Sequence, residues 1–441
     1  MAVILFLLSQ IGSLSHAYER QTLQALSSPA DRSGPETIVD LTTAIQQALE
    51  YHPSIVSALR RRDSSGENVQ VAKAQYYPQI SGGLSSDYNR YRTGRFEKSY
   101  LSSVHINVSQ VLYDFGKISG SVRKAEYVER ADGVVADLNV EQVARETARA
   151  LIESVRFDRL TTLAAEQAVQ VERLVDLVKQ REEKGASTRS DVLQALARLD
   201  AINAQRVSLE TEREGWLREV LLLLGAETPG ISVSIGSVPD NLLRACIEPL
   251  DVDASPEVQL AHINEGEALA DLELAEAQSM PTLQIQLQSS RPLNASPSYG
   301  NQFETAIGLN FSMPIYQGGG LSASKRAAAS LLQAARADIV NARLRLRQRM
   351  AELTARHQGL TGRNNLLATR TANIRGTKEL YWRQYVELGT RSLLDLLNAE
   401  QEFHQARVDA ANNEIDLLQT QVDCAFVQGR LGQAFGVTSP I

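Results

Sequence analysis

The sequence predicts an α+β membrane protein organised as a twofold internal repeat, each half carrying a strand pair and a long helical hairpin. Three observations carry this. The chain is written twice, its longest amphipathic stretches hold no proline, and its shorter alternating segments have one apolar and one polar face.

The duplication comes first because a missed repeat misassigns the whole fold. His52-Pro53-Ser54-Ile55 recurs as Ser255-Pro256-Glu257-Val258, and Ala74-Gln75-Tyr76-Tyr77-Pro78 recurs at the same offset as Ala277-Gln278-Ser279-Met280-Pro281. The run Val108 to Gly116 matches Phe311 to Gly319, Gly185 with Asp191 matches Gly389 with Asp395, and Leu224-Gly225 matches Leu431-Gly432. Order and spacing are both kept. Residues 38–225 are therefore the first repeat and 256–432 the second, with a linker over 226–255 and a tail over 433–441.

The chain begins with an apolar run ending in Ser15-His16-Ala17, a small-x-small pattern that predicts a signal peptide over 1–17 and export across the inner membrane. No Lys or Arg precedes that run, so the true start can lie upstream. Residues 18–37 are expected to be a flexible segment. Beyond residue 17 no stretch reaches the roughly 18 apolar residues of a spanning helix, so any membrane crossing falls to β-strands.

The helices follow from proline punctuation, because proline inside a helix removes a hydrogen bond and clashes with the preceding turn. None occurs between Pro78 and Pro229 or between Pro314 and Pro440, whereas Pro229, Pro239, Pro249 and Pro256 crowd the joining segment, which reads as irregular. Ile415, Leu418, Val422 and Ala425 step by three and four, as do Leu346, Met350, Leu353, His357 and Leu360, the spacing of a coiled-coil seam. A helix from Lys117 to Lys184 would reach on the order of 100 Å.

The strands alternate. Leu283, Ile285 and Leu287 face away from Gln284, Gln286 and Gln288, and Ile307, Leu309 and Phe311 from Gly308 and Asn310. Val104, Ile106 and Val108 repeat the pattern in the first copy, while the partner near Ile80 to Tyr88 is glycine-rich and weaker. Such segments, with Tyr76, Tyr77, Tyr88, Tyr113, Phe115, Tyr299, Phe303 and Tyr316 at their ends, suit a barrel wall in outer-membrane lipid with aromatic girdles. Four strands cannot stand alone in lipid, because an open edge leaves backbone groups unpaired in hydrocarbon. An oligomer is required, without its number being fixed.

Other classes are poorly supported. A formal charge of -7 and a pI near 5.6 argue against nucleic acid as a partner. The histidines, at 16, 52, 105, 262, 357 and 404, lack metal-ligand spacing, so neither metal nor cofactor is expected and the chain reads as no enzyme. Gly318-Gly319-Gly320 reads as a strand-to-helix corner, and Arg90, Arg92, Arg95 and Lys98 as a solvated charged loop. Cys246 and Cys424 belong to no C-x-x-C pair and read as two small separate thiols, their pairing left open. A periplasmic coiled-coil adaptor or rod would share the helices but lack paired lipid-facing strands.

The segment Tyr385 to Ala399, YVELGTRSLLDLLNA, closely resembles the helix-turn-helix tip of the TolC family of outer-membrane ducts. The duplication, the approach Ala74-x-x-x-Pro78, the exit Tyr113-Asp114-Phe115-Gly116 and the leucine-glycine ends extend the resemblance over nearly the whole mature chain. It implies a homotrimer: a twelve-stranded barrel, four strands per chain, continued by a long coiled-coil tunnel through the periplasm. It also implies a periplasmic adaptor and an inner-membrane ABC or RND-type pump as partners, with efflux or type I protein secretion as the task. The absence of a cysteine after the apolar run favours secretion. The resemblance further implies a gate at the tip built on Arg391 and Asp395. Asn398 stands where a second acidic residue is usual, and Val386 where a tyrosine occurs, with Tyr385 one position off. Ser190 and Asp191 on the equivalent first turn are expected to accept hydrogen bonds from Arg391.

Overall fold

The computed structural model describes residues 37–93, 95–226, 231–293 and 304–436. The expected signal peptide, residues 18–36 and residues 437–441 lie outside these, as do Tyr299 and Phe303. Strands β1 (Thr37–Val39) and β4 (Ile231–Val233) pair into a small two-stranded sheet.

In the first repeat, α1 (Leu41–Tyr51) leads into α2 (Pro53–Ala74), then strands β2 (Gln79–Thr93) and β3 (Arg95–Tyr113), then α3 (Lys117–Glu183) and α4 (Arg189–Leu223). The linker carries a short α5 (Asp240–Arg244). The second repeat runs α6 (Pro256–Ala277), β5 (Thr282–Pro292), β6 (Glu304–Ser312), α7 (Gly320–Arg383), α8 (Leu393–Val427) and a final turn α9 (Leu431–Ala434). Helices α2 and α6 are both 22 residues and each opens on the proline that marks its copy, where a missing N–H costs nothing.

The structure adds an asymmetry and changes one expectation. The long hairpins are unequal: α3 and α7 have 67 and 64 residues, but α4 and α8 have 35 each. The length α4 lacks along α3 is supplied by α2, whose Ala72 packs against Ile118 and Val122. In the same way α6 backs α7, with Val258 against Ala342 and Leu346. The glycine-rich strand β2 is also stronger than its sequence suggests, pairing with β3 over its full length from Gln79 to Thr93. Arg90, Arg92, Arg95 and Lys98 consequently belong to strand backbone, with Arg90 opposite Lys98, and not to a loop.

The predicted seams are buried except at half-buried Leu353: Leu346, Met350, His357 and Leu360 on α7, and Ile415, Leu418, Val422 and Ala425 on α8. Corners between strand and helix use glycine where φ is positive, at Gly116 before α3 and at Gly318 and Gly319 before α7, as expected of a corner.

The linker is more ordered than its prolines imply. Leu242, Ala245 and Cys246 are buried, and Gln428 Nε2 donates to the Ala245 carbonyl at 2.6 Å. Cys246 and Cys424 are joined in a disulfide, which replaces the expectation of two separate thiols. Sequence could not pair them because the meeting of α5 with α8 is a long-range event.

Candidate functional site

The four long strands form one antiparallel sheet in the order β2-β3-β5-β6. Its registers place Ile80, Val108, Leu287 and Ile307 in a single row across all four strands, since each is the direct partner of the next. Directly opposed residues share a face, so this row and its neighbours, Leu84 with Val104 and Ile285 with Leu309, make one apolar face. The other face carries Ser81, Asn107, Gln288 and Ala306 in one row, and Ser109, Gln286 and Gly308 in another. The apolar face is uncovered by this chain: Ile307 is 73% exposed, Leu309 70% and Leu84 70%. Tyr76 and Tyr77 before β2, Tyr113 at the end of β3 with Phe115 just after it, and Ile315 and Tyr316 after β6 are likewise exposed at the corners between strands and helices. Among the described residues no helix is long and apolar enough to cross a membrane.

The far ends of the hairpins form the second part of the site. Both turns use a glycine with positive φ, Gly185 and Gly389, and both helices that follow start on a hydroxyl cap. In the first copy Thr188 and Asp191 form a reciprocal capping box: the Asp191 carboxylate accepts from Thr188 N at 2.9 Å, Thr188 Oγ1 at 2.8 Å and Ser187 Oγ at 3.1 Å. These donors, the Thr188 amide foremost, hold the Asp191 carboxyl below its ordinary range. Ser190 is occupied by Thr188 Oγ1 at 2.7 Å.

In the second copy α7 ends in a π-turn, Gln384–Leu388, and Ser392 Oγ accepts from Asp395 N at 3.1 Å. Arg391 donates through Nε to Gln384 Oε1 at 3.0 Å, approaches Asp395 at 3.7 Å, and lies 4.4 Å from the Tyr381 ring centroid. Arg391 and Asp395 thus lie side by side, and Asn398 is exposed one turn further along α8. The expected bonds from Arg391 to Ser190 and Asp191 do not form within the chain, because the short side chains of that turn satisfy their own helix start.

The tyrosine one position off the expected place lies elsewhere. Tyr385 is buried in a core shared by both hairpins, with Leu174, Val178, Val192, Leu393 and Leu396, and the Arg181 guanidinium sits 4.9 Å from its ring. Tyr381, one turn earlier, meets Arg391 instead. Tyr381 precedes the π-turn, whereas Tyr385 lies within it.

A seam of ion pairs joins the repeats. Arg145, Arg156 and Arg159 of α3 meet Asp423, Asp416 and Glu414 of the antiparallel α8 at 2.7, 2.7 and 2.5 Å.

The model of the outer membrane efflux protein family matches residues 44–226 and 252–430, one segment for each repeat. The chain is 22% identical to the outer membrane protein TolC of Salmonella enteritidis, over 89% of this chain and 82% of that one. It is 24% identical to the proteases secretion protein PrtF of Dickeya chrysanthemi, over 91% and 90%. A crystal structure of a membrane protein from Pseudomonas aeruginosa shares the fold, with a TM-score of 0.80 at 19% identity over 91% of this chain and 98% of that one. With both repeats matched and an apolar-faced sheet attached to the helical hairpins, the chain belongs to the outer membrane efflux protein family and is an outer-membrane exit duct that extends into the periplasm.

Proposed function

We propose that three copies of this chain close into a twelve-stranded barrel continued by a tunnel of twelve helices, a passive duct for efflux or type I secretion. The observation that carries this is the open four-stranded sheet, apolar on one face, with β2 and β6 as its edges. In hydrocarbon those edges must pair, and joining β6 of one copy to β2 of the next pairs them all. Two copies would give eight strands and a filled interior, whereas three leave room for a lumen. The polar face, with Gln286 and Asn310, then lines the lumen, and the apolar face meets outer-membrane lipid.

The same reading assigns the tip to a gate in which Arg391 and Asp395, with Asn398 and the first-copy turn at Ser190 and Asp191, link neighbouring hairpins. The Arg391 cluster supports this, because Arg391 and Asp395 are about two-fifths exposed and held only by local contacts, so they can change partner. A periplasmic adaptor and an inner-membrane ABC or RND-type pump supply the drive, since a passive duct has none. The likeness to a proteases secretion protein supports proteins as cargo alongside small molecules.

Native mass measurement in mild detergent tests the assembly. A mass of three chains is expected, and a stable monomer or dimer in correctly extracted protein would refute the closure argument.

A further inference from the structure

We infer that maturation of this chain includes one obligatory thiol oxidation, in which a periplasmic dithiol-disulfide exchange protein joins Cys246 to Cys424 before the linker packs onto α8. The sequence holds only these two cysteines, and the bond consumes both. They are 3% and 0% exposed, and Leu242, Ala245, Val422 and Ala425, close to them along the chain, are buried as well.

Disulfide exchange requires a thiolate to reach a sulfur atom through a mixed-disulfide intermediate. The packed joint has no path for a protein partner, and a thiol in apolar surroundings ionises poorly. Oxidation therefore precedes packing. One cysteine thiolate of the chain attacks the partner's disulfide and displaces one partner thiolate. The second chain thiolate then attacks the chain-side sulfur, and the partner leaves as a dithiol carrying both electrons. With two cysteines only one connectivity exists, so oxidation suffices and no isomerisation follows. The cysteines are 178 residues apart, spanning β5, β6, α6 and α7, so the step waits until nearly all of the second repeat has been exported. The periplasm sustains such bonds. Afterwards the same burial shields the bond, and Gln428 and Gln421, donating to the carbonyls of Ala245 and Leu243, hold the joint closed over it.

Thiol labelling of acid-quenched cells, followed by denaturation, tests the step on the single chain and so independently of the trimer. The full-length protein should take up no label until it is reduced and two labels afterwards; two labels without reduction would overturn the inference. In pulse-labelled cells the oxidised chain should appear before the protease-resistant one, and folded chain with free thiols appearing first would overturn the order. In cells lacking their periplasmic dithiol oxidase, the wild-type level in the outer membrane should fall at least threefold, while Cys246→Ser with Cys424→Ser keeps its own level. Equal losses of both proteins, or no loss with the bond still formed, would remove the exchange partner from the scheme.

Discussion

At the scale of single residues, the least expected group is Glu141 of α3, a carboxylate 7% exposed that accepts from the amides of Leu431 and Gly432, each at 2.9 Å. It ties the first repeat to the leucine-glycine end of the second. Burial pushes its carboxyl up to about 7 from 4.5, against the pull of the two amides. Because the folded value lies above the unfolded one, the protonated form is favoured by folding. Its contribution is complete below about pH 4.5 and is lost as pH rises through 7, a swing of up to about 3 kcal/mol. Hydrogen exchange at Leu431 and Gly432, corrected for its intrinsic rate, should accelerate between pH 5 and 8, and Glu141→Gln should flatten that dependence. A wild-type profile already flat would mean the carboxylate is solvated. His404 on α8 is buried with neither ring nitrogen hydrogen-bonded, and burial together with Arg407 pushes its titration downward. Neither group stood out in the sequence, where a Glu on a long helix reads as surface and a histidine without metal spacing reads as incidental.

At the scale of elements, the strands and the turns make separate demands. Ile307 on β6 belongs to the apolar row and Asn310 to the opposite face. Arginine at the bilayer midplane costs on the order of 2 to 4 kcal/mol on the lipid side. Ile307→Arg should therefore cut the yield of assembled protein strongly and Asn310→Arg only slightly, as read from heat-stable oligomer in outer-membrane fractions; comparable losses would reverse the assignment of faces. At the tip, the Arg391 and Asp395 side chains are about two-fifths exposed, and a single pair of that kind is worth about 0 to 1 kcal/mol. A closed gate consequently needs several links repeated around the assembly. Arg391→Ser with Asp395→Ala should raise single-channel conductance in a planar bilayer without lowering oligomer yield, and unchanged conductance would leave these residues as helix-start groups. The cap itself survives that change, because Ser392 and the Asp395 amide remain.

At the scale of the whole molecule, two copies of one pattern are held together by the seam between α3 and α8, and its pairs are unequal. Arg156 is 12% exposed on its side chain and also donates to Asn412 at 3.1 Å, while Arg159 is 49% exposed. Removing one partner of a buried pair leaves a charge uncompensated, at about 3 to 5 kcal/mol, whereas an exposed pair contributes little. Arg156→Ala should therefore lower the midpoint of thermal unfolding by several degrees and Arg159→Ala barely at all; similar shifts would mean the seam is uniformly solvated. The sequence by itself determined the duplication, the helical and strand segments, the apolar and polar faces and the turns at Gly185 and Gly389, because each depends on spacing along a few neighbouring residues. The tertiary structure alone decided that α4 and α8 are half the length of their partners, that Arg391 meets Tyr381 and not Ser190 or Asp191, and that Cys246 finds Cys424. Those outcomes depend on which distant segments share a packed layer. A π-turn or a linker helix shifts that by a few ångströms without altering local hydrophobic periodicity.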